Sequence, residues 1–132
     1  MDARKATLDR LFDAFNKHDI AGVMACFAPD AVFFTAAGST AAGRKVEGLD
    51  AIGAVFEAVW TEMPDVRWTV RQSRIFPDGG MTEWLFTGTR LDGSRVEAEG
   101  LDLFTFDGDR IASKSAFRKD RPMIPPVGST AA

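Results

Sequence analysis

Apolar residues recur at helical spacing in the first half of the chain and at strand spacing in the second. Leu8, Leu11, Phe12 and Phe15 fall at i, i+3, i+4 and i+7, which predicts an amphipathic helix. Asp19 reads as the N-cap of a second helix, because Ile20, Val23, Met24 and Phe27 repeat that spacing, and Pro29 is expected to end it. Residues 31–35 read as a short strand, 36–42 as a small-residue loop and 44–47 as a second short strand. A third helix is predicted over about 49–63, with Ile52, Val55, Phe56, Val59 and Trp60 inward and Pro64 as its stop. From Val66 onward the pattern is strand, at about 66–76, 81–90, 95–106 and 110–119. Turns at Pro77-Asp78-Gly79-Gly80, Asp92-Gly93 and Asp107-Gly108 separate these strands. Helices followed by hairpin-linked strands predict an α+β fold with an antiparallel sheet.

Alternation within the strands singles out one residue. Val96, Ala98, Gly100, Asp102, Phe104 and Phe106 share one face of their strand, and Leu101 and Leu103 lie on the other. Asp is a poor strand residue, so an Asp between two leucines either faces water or is the polar group of a pocket. On the neighbouring strands Trp84 and Phe86 share a face, as do Ala116 and Arg118. The opposite face carries Leu85, Leu101, Leu103 and Phe117 and still needs cover, which a second copy of the chain would supply. A homodimer through the outer sheet face is therefore expected.

Composition narrows the chemistry. The chain has 132 residues and a net charge of −3, which gives one domain and no electrostatic case for nucleic acid or an anionic membrane. Its apolar runs are too short to span a bilayer, and the charged N-terminal segment lacks a signal-peptide core, so a cytoplasmic location is expected. Cys26 is the single cysteine and His18 the single histidine, and tyrosine is absent. A disulfide within the chain, a metal site built on several histidines and a tyrosine acid are thereby excluded. Phosphate-cradling glycine motifs and a GxSxG nucleophile elbow are also missing. No cofactor or metal is implied. Acid–base chemistry would rest on carboxylates, His18 or lysines.

The segments HDIAGVMACFAPDAVF at 18–33, EGLDAI at 47–52, EWLFTGT at 83–89 and GLDLFTFDGDRI at 100–111, in this order of elements, carry a resemblance. The chain resembles the nuclear transport factor 2-like superfamily, which shares the cystatin-like architecture, and within it the SnoaL-like group of polyketide cyclases and their relatives. The resemblance spans residues of about 5 to 120. It implies a cone-shaped, curved antiparallel sheet packed against three N-terminal helices. It divides the chain into one SnoaL-like domain over 1–120 and a Pro-rich extension over 121–132. Met123 and Ile124 in that extension would lie across a partner or the mouth of the cone.

The resemblance also implies facing. It turns Thr35, Trp84, Phe86, Asp102 and Ala116 toward the cone interior, with Leu11, Phe15 and Trp60 closing it from the helices. Phe104 and Arg118 share the parity of Asp102 and Ala116 and complete the candidate ligand-binding set. In ketosteroid isomerase a neutral Asp donates a hydrogen bond to an oxyanion, and that Asp is matched here by Asp102. The isomerase's base and tyrosine are matched by Thr35 and by a position near Leu11, so neither group survives. The Arg and Asp of limonene epoxide hydrolase fall on Trp84 and Phe86, and its last-strand Asp falls on Ala116.

Two readings of Asp102 follow. In a mostly apolar pocket it would be the acid–base group, or the hydrogen-bond donor, of an isomerase, cyclase or lyase acting on a hydrophobic, cyclic substrate. Paired with Lys114 or Arg118 it would be structural, its pKa lowered, in a hydrophobic-ligand-binding or dimerisation module of the same fold. His18 is either part of the inner stripe of the first helix or a helix-end residue. Cys26 reads as an inert buried thiol. Asp50 reads as a helix cap and Lys17, Arg67, Arg71 and Arg74 as solvated surface.

Overall fold

The computed structural model describes residues 2–128. Helix α1 (Ala3–Asn16) starts at Asp2, whose carboxylate accepts the Arg4 N–H at 2.8 Å. It ends in a left-handed turn: His18 has φ 54°, and the Asp19 N–H returns to the Ala14 carbonyl at 2.9 Å. Glycine or asparagine usually occupies such a position. Here the imidazole stacks on Trp60, with centroids 5.1 Å apart. His18 is thus a helix-end residue.

Asp19 caps α2 (Ile20–Met24) by accepting the Gly22 N–H. This helix stops earlier than its apolar spacing suggests, because Phe27 already begins strand β1 (Phe27–Phe34). Pro29 lies inside that strand rather than at a helix end. It sits where the pairing register shifts between Phe27 and Val32, so its missing N–H leaves no ladder position empty. A loop over 35–44 leads to β2 (Lys45–Glu47) and then α3 (Leu49–Glu62). The N-cap of α3 is Gly48, and Asp50 sits in the first turn instead of capping.

The four long strands are β3 (Arg67–Phe76), β4 (Gly79–Thr89), β5 (Arg95–Asp107) and β6 (Arg110–Arg118). Gly79 and Gly80 belong to β4, so the β3–β4 turn is Pro77-Asp78 alone. Gly93 and Gly108, with φ of 85° and 61°, supply the left-handed residues of the next two turns. The six strands form one curved sheet in the order β2-β1-β6-β5-β4-β3. Every pair is antiparallel except β1 with β6, which runs parallel. The architecture is the expected α+β one.

Side-chain alternation sets the two faces. Thr82, Trp84 and Phe86 of β4 and Asp102 and Phe104 of β5 face the helices and are buried. Trp84, Phe86 and Phe104 share one core with Leu8, Leu11, Phe12 and Phe15 of α1 and Ile52, Phe56 and Trp60 of α3. On the outer face Leu85 and Leu101 are half-buried, whereas Leu103 and Phe117 are 42% and 52% exposed. After β6 the chain turns back along β5, and Ile124 pairs with Arg95 through two backbone hydrogen bonds. Met123 and Ile124 thus lie beside the start of β5.

Candidate functional site

Asp102 is at the centre of the inner sheet face and has no exposed surface. The ladder places Thr82 of β4 and Ala116 of β6 directly beside it. Trp84 reaches it from one pair away: the indole Nε1–H donates to Asp102 Oδ2 at 3.0 Å. Gly100 makes that reach possible, since a Cβ at 100 would sit 2.6 Å from Trp84 Cη2. The glycine in the otherwise bulky run at 100–106 therefore lets the indole lie across β5.

From the other side Lys114 Nζ stands 3.1 Å from Asp102 Oδ1. The lysine side chain is itself only 7% exposed. Its ammonium also lies over the rings of Phe33, Phe56 and Phe15, at 4.4, 5.5 and 5.7 Å from their centroids. The approach to Oδ1 is oblique, so this oxygen has an ionic partner but no well-formed hydrogen bond. Of the two sequence readings the ion pair is the one present, and it is formed with Lys114. Arg118 instead lies over the Phe86 ring at 5.1 Å.

The expected consequence of that pairing does not follow. Burial pushes the Asp102 carboxyl above the ordinary carboxylate value, although Lys114 and the Trp84 N–H both pull it down. Desolvation in an aromatic core outweighs one cation and one neutral donor.

The remaining candidates divide into three groups. Leu11, Phe15, Trp60, Trp84, Phe86 and Phe104 are all buried on the inner side, where the sequence puts them. They pack on one another instead of lining an open pocket: Phe15 meets Phe56 at 4.9 Å and Trp68 at 5.0 Å, and Trp84 meets Phe86 at 6.2 Å. Rings from the helices and the sheet meet in the middle, which is how this aromatic-rich chain fills its interior. Ala116 is half-buried beside Asp102, and Arg118 is exposed at the end of β6. Thr35 leaves the set: its hydroxyl donates to the Ala37 carbonyl at 2.7 Å and accepts the Arg44 N–H at 2.9 Å, closing the 35–44 loop.

Four depressions stand out on the surface of the described residues, and none of these four is lined by Asp102, Lys114 or Trp84. Two, of about 480 and 540 Å³, lie mainly on the outer sheet face around Leu101, Leu103 and Phe117. One of about 500 Å³ is on α3. The fourth, about 310 Å³, lies between α1 and β3. Sequence reasoning named Lys114 only as a structural partner, and it missed the Phe33–Phe56 cage and the hydroxyl pair of Ser73 and Thr82, 2.8 Å apart. The parity of Lys114 with Asp102 across β5 and β6 was the available signal. Among the described residues no group of three or more His, Cys, Asp or Glu is placed to hold a metal ion, and no helix is long and apolar enough to cross a membrane.

The profile of the SnoaL-like domain matches residues 8–114, most of the chain and all of the inner-face site up to Lys114. The chain belongs to the SnoaL-like family. No curated protein matches it in sequence. Among solved structures it is similar to Bal32a from a soil-derived mobile gene cassette, at 21% identity over 89% of this chain and 90% of that one, TM-score 0.80. It is also similar to TerC co-crystallised with polyporic acid, at 16% identity over 89% and 92%, TM-score 0.78. A SnoaL-like polyketide cyclase homologue from Jannaschia sp. CCS1 superposes at 17% identity over 89% and 85%, TM-score 0.76. At these identities the likeness is one of fold.

Proposed function

We propose that this SnoaL-like chain is a small-molecule enzyme of isomerase, cyclase or lyase type that acts on a hydrophobic, cyclic carbonyl compound. Asp102 and Lys114 are its acid–base pair. The observation that carries this reading is the burial of that pair in an aromatic core. Apolar residues of the same volume are usually as stable as a buried ion pair, or more so, so stability alone gives little reason to keep it. Burial favours the protonated carboxyl while the Lys114 charge and the Trp84 N–H favour the carboxylate, so Asp102 is poised between its two forms. A carboxyl poised in this way can take a proton from a carbon beside a carbonyl and return it at another position. The Lys114 ammonium, which has three N–H donors, is the donor at hand for the oxygen that gains charge. The ligand of TerC and the cyclase relative support a substrate of this class. A cytoplasmic location belongs to the same reading.

The test does not require the natural substrate. Flat cyclic ketones such as 2-tetralone are incubated with the protein in D2O, and exchange of the α-hydrogens is followed by proton NMR. Exchange faster than buffer, abolished by Asp102→Asn in a folded protein, is the expected result. Exchange no faster than buffer across a panel of such ketones contradicts the reading.

One observation favours a second reading, a dimerisation module with a filled interior: the rings around Asp102 are packed and the apolar residues that remain exposed lie on the outer face. In that case the pair is structural, and ketone exchange is absent while the protein is dimeric.

A further inference from the structure

One inward-facing row of the sheet runs Val70, Trp84, Gly100 and Arg118 from β3 to β6. Trp84 leans over Gly100 toward Asp102 and away from Val70. Val70 is thereby left uncovered: it holds an inward position of β3 and is nevertheless 41% exposed. The groove of about 310 Å³ between α1 and β3 opens at this gap, with Trp68 and Val70 as its accessible apolar surface and Leu8 and Phe12 buried behind it. That volume is at the lower end of small-molecule sites.

A pair of hydroxyls runs from the groove to the ladder position beside the buried carboxyl. Ser73 lines it, and the Ser73 hydroxyl is 2.8 Å from the hydroxyl of Thr82. Thr82 is fully buried and is the cross-strand neighbour of Asp102 on the same face. Side chains in that relation have Cβ atoms about 5 Å apart. Two hydroxyls, each able to donate and accept, thus stand between the groove and Asp102.

Charge narrows what would bind. Asp9 and Asp13 on the helix wall are paired with Lys5 and Lys17 of α1 and its cap, at 3.3 and 2.9 Å. The amide of Asn16 is held at both ends by the backbone of Trp68. Arg67 on the β3 side has no ion pair among the described residues and is the groove's uncommitted cation.

We propose that this groove docks a flat apolar acid, with its anionic group on Arg67, and that the Ser73–Thr82 hydroxyl pair links the docked molecule to Asp102. The proposal rests on the reading of Asp102 as the working carboxyl.

The probe is anilinonaphthalene sulfonate, an aromatic body with one fixed negative charge. Saturable binding is expected, weakened about fivefold by Arg67→Gln, the upper end for an exposed ion pair, and abolished by Val70→Arg. Leu103→Lys on the outer face leaves it unchanged. Saturation shifts the carbon resonance of the Asp102 carboxyl, and Thr82→Val or the half-buried Ser73→Ala removes that shift while binding persists. Binding that survives Val70→Arg, binding that Leu103→Lys abolishes, or an Asp102 resonance that the probe does not move overturns the proposal. Ketone exchange that Asp102→Asn leaves intact overturns only the acid–base reading, because the groove variants report on binding.

Discussion

Asp102 shows how far a single residue can be read. Its oddity as a lone acid in LDLFTF was legible, as was its inward parity with Trp84 and Ala116. The identity of its partner was legible as an alternative, since Lys114 and Arg118 share that parity on the next strand. The direction of its pKa was not, because it depends on how completely the surrounding rings exclude water, and that is a property of the packed core. A carboxyl whose folded pKa is raised adds stability that is fully present below its unfolded value, near 3.8, and is lost as pH rises through the folded value. Wild type should therefore lose stability relative to Asp102→Asn as pH rises from about 4 toward neutrality. Urea unfolding of both proteins across that range checks this. A difference that does not change with pH, or that changes with the opposite sign, removes the raised pKa from the account.

At the level of elements, the long strands and α3 were legible because alternation and Asp-Gly turns are local signals. The start of β1 was not. Phe27 completes a helical stripe in sequence, yet it pairs with Ile111 of β6, more than eighty residues away in the chain, and that long-range pairing overrides the local spacing. Pro29 misled for the same reason, as it marks a register shift in a strand. Gly100 was legible only as a weak strand residue. Its purpose appears once Trp84 is seen lying across β5. Gly100→Ala places a methyl against the indole and against the Phe117 carbonyl, neither of which yields easily. A loss of about 1–3 kcal/mol is expected, as for other overpacked interiors. The Trp84 indole N–H signal should also move toward that of a free indole in NMR spectra. A Gly100→Ala protein with wild-type stability and an unchanged Trp84 signal would show that the Trp84–Asp102 bond does not depend on the glycine.

For the whole molecule, the family and the α+β architecture were legible in the order of elements, and the apolar outer face was legible in the odd positions of β4, β5 and β6. The extent to which the interior is filled was not, because patterning shows which residues face inward and not how much space they leave between them. The exposed Leu103 and Phe117 support a homodimer through this face, and Phe117→Glu is expected to give a monomer by light scattering where wild type gives a dimer. A monomeric wild type at micromolar concentration contradicts that assembly. The central claim is that the buried Asp102–Lys114 pair serves chemistry and not stability. Its most direct test is the unfolding free energy of the near-isosteric double variant Asp102→Asn/Lys114→Met, set against wild type and against Lys114→Met alone. The single change strands a buried carboxylate and is expected to cost about 3–5 kcal/mol at neutral pH. The double variant is expected to fall within about 1 kcal/mol of wild type, since removing both charges also removes their desolvation. A double variant as unstable as the single one would mean that the pair holds the fold together, and would contradict the account.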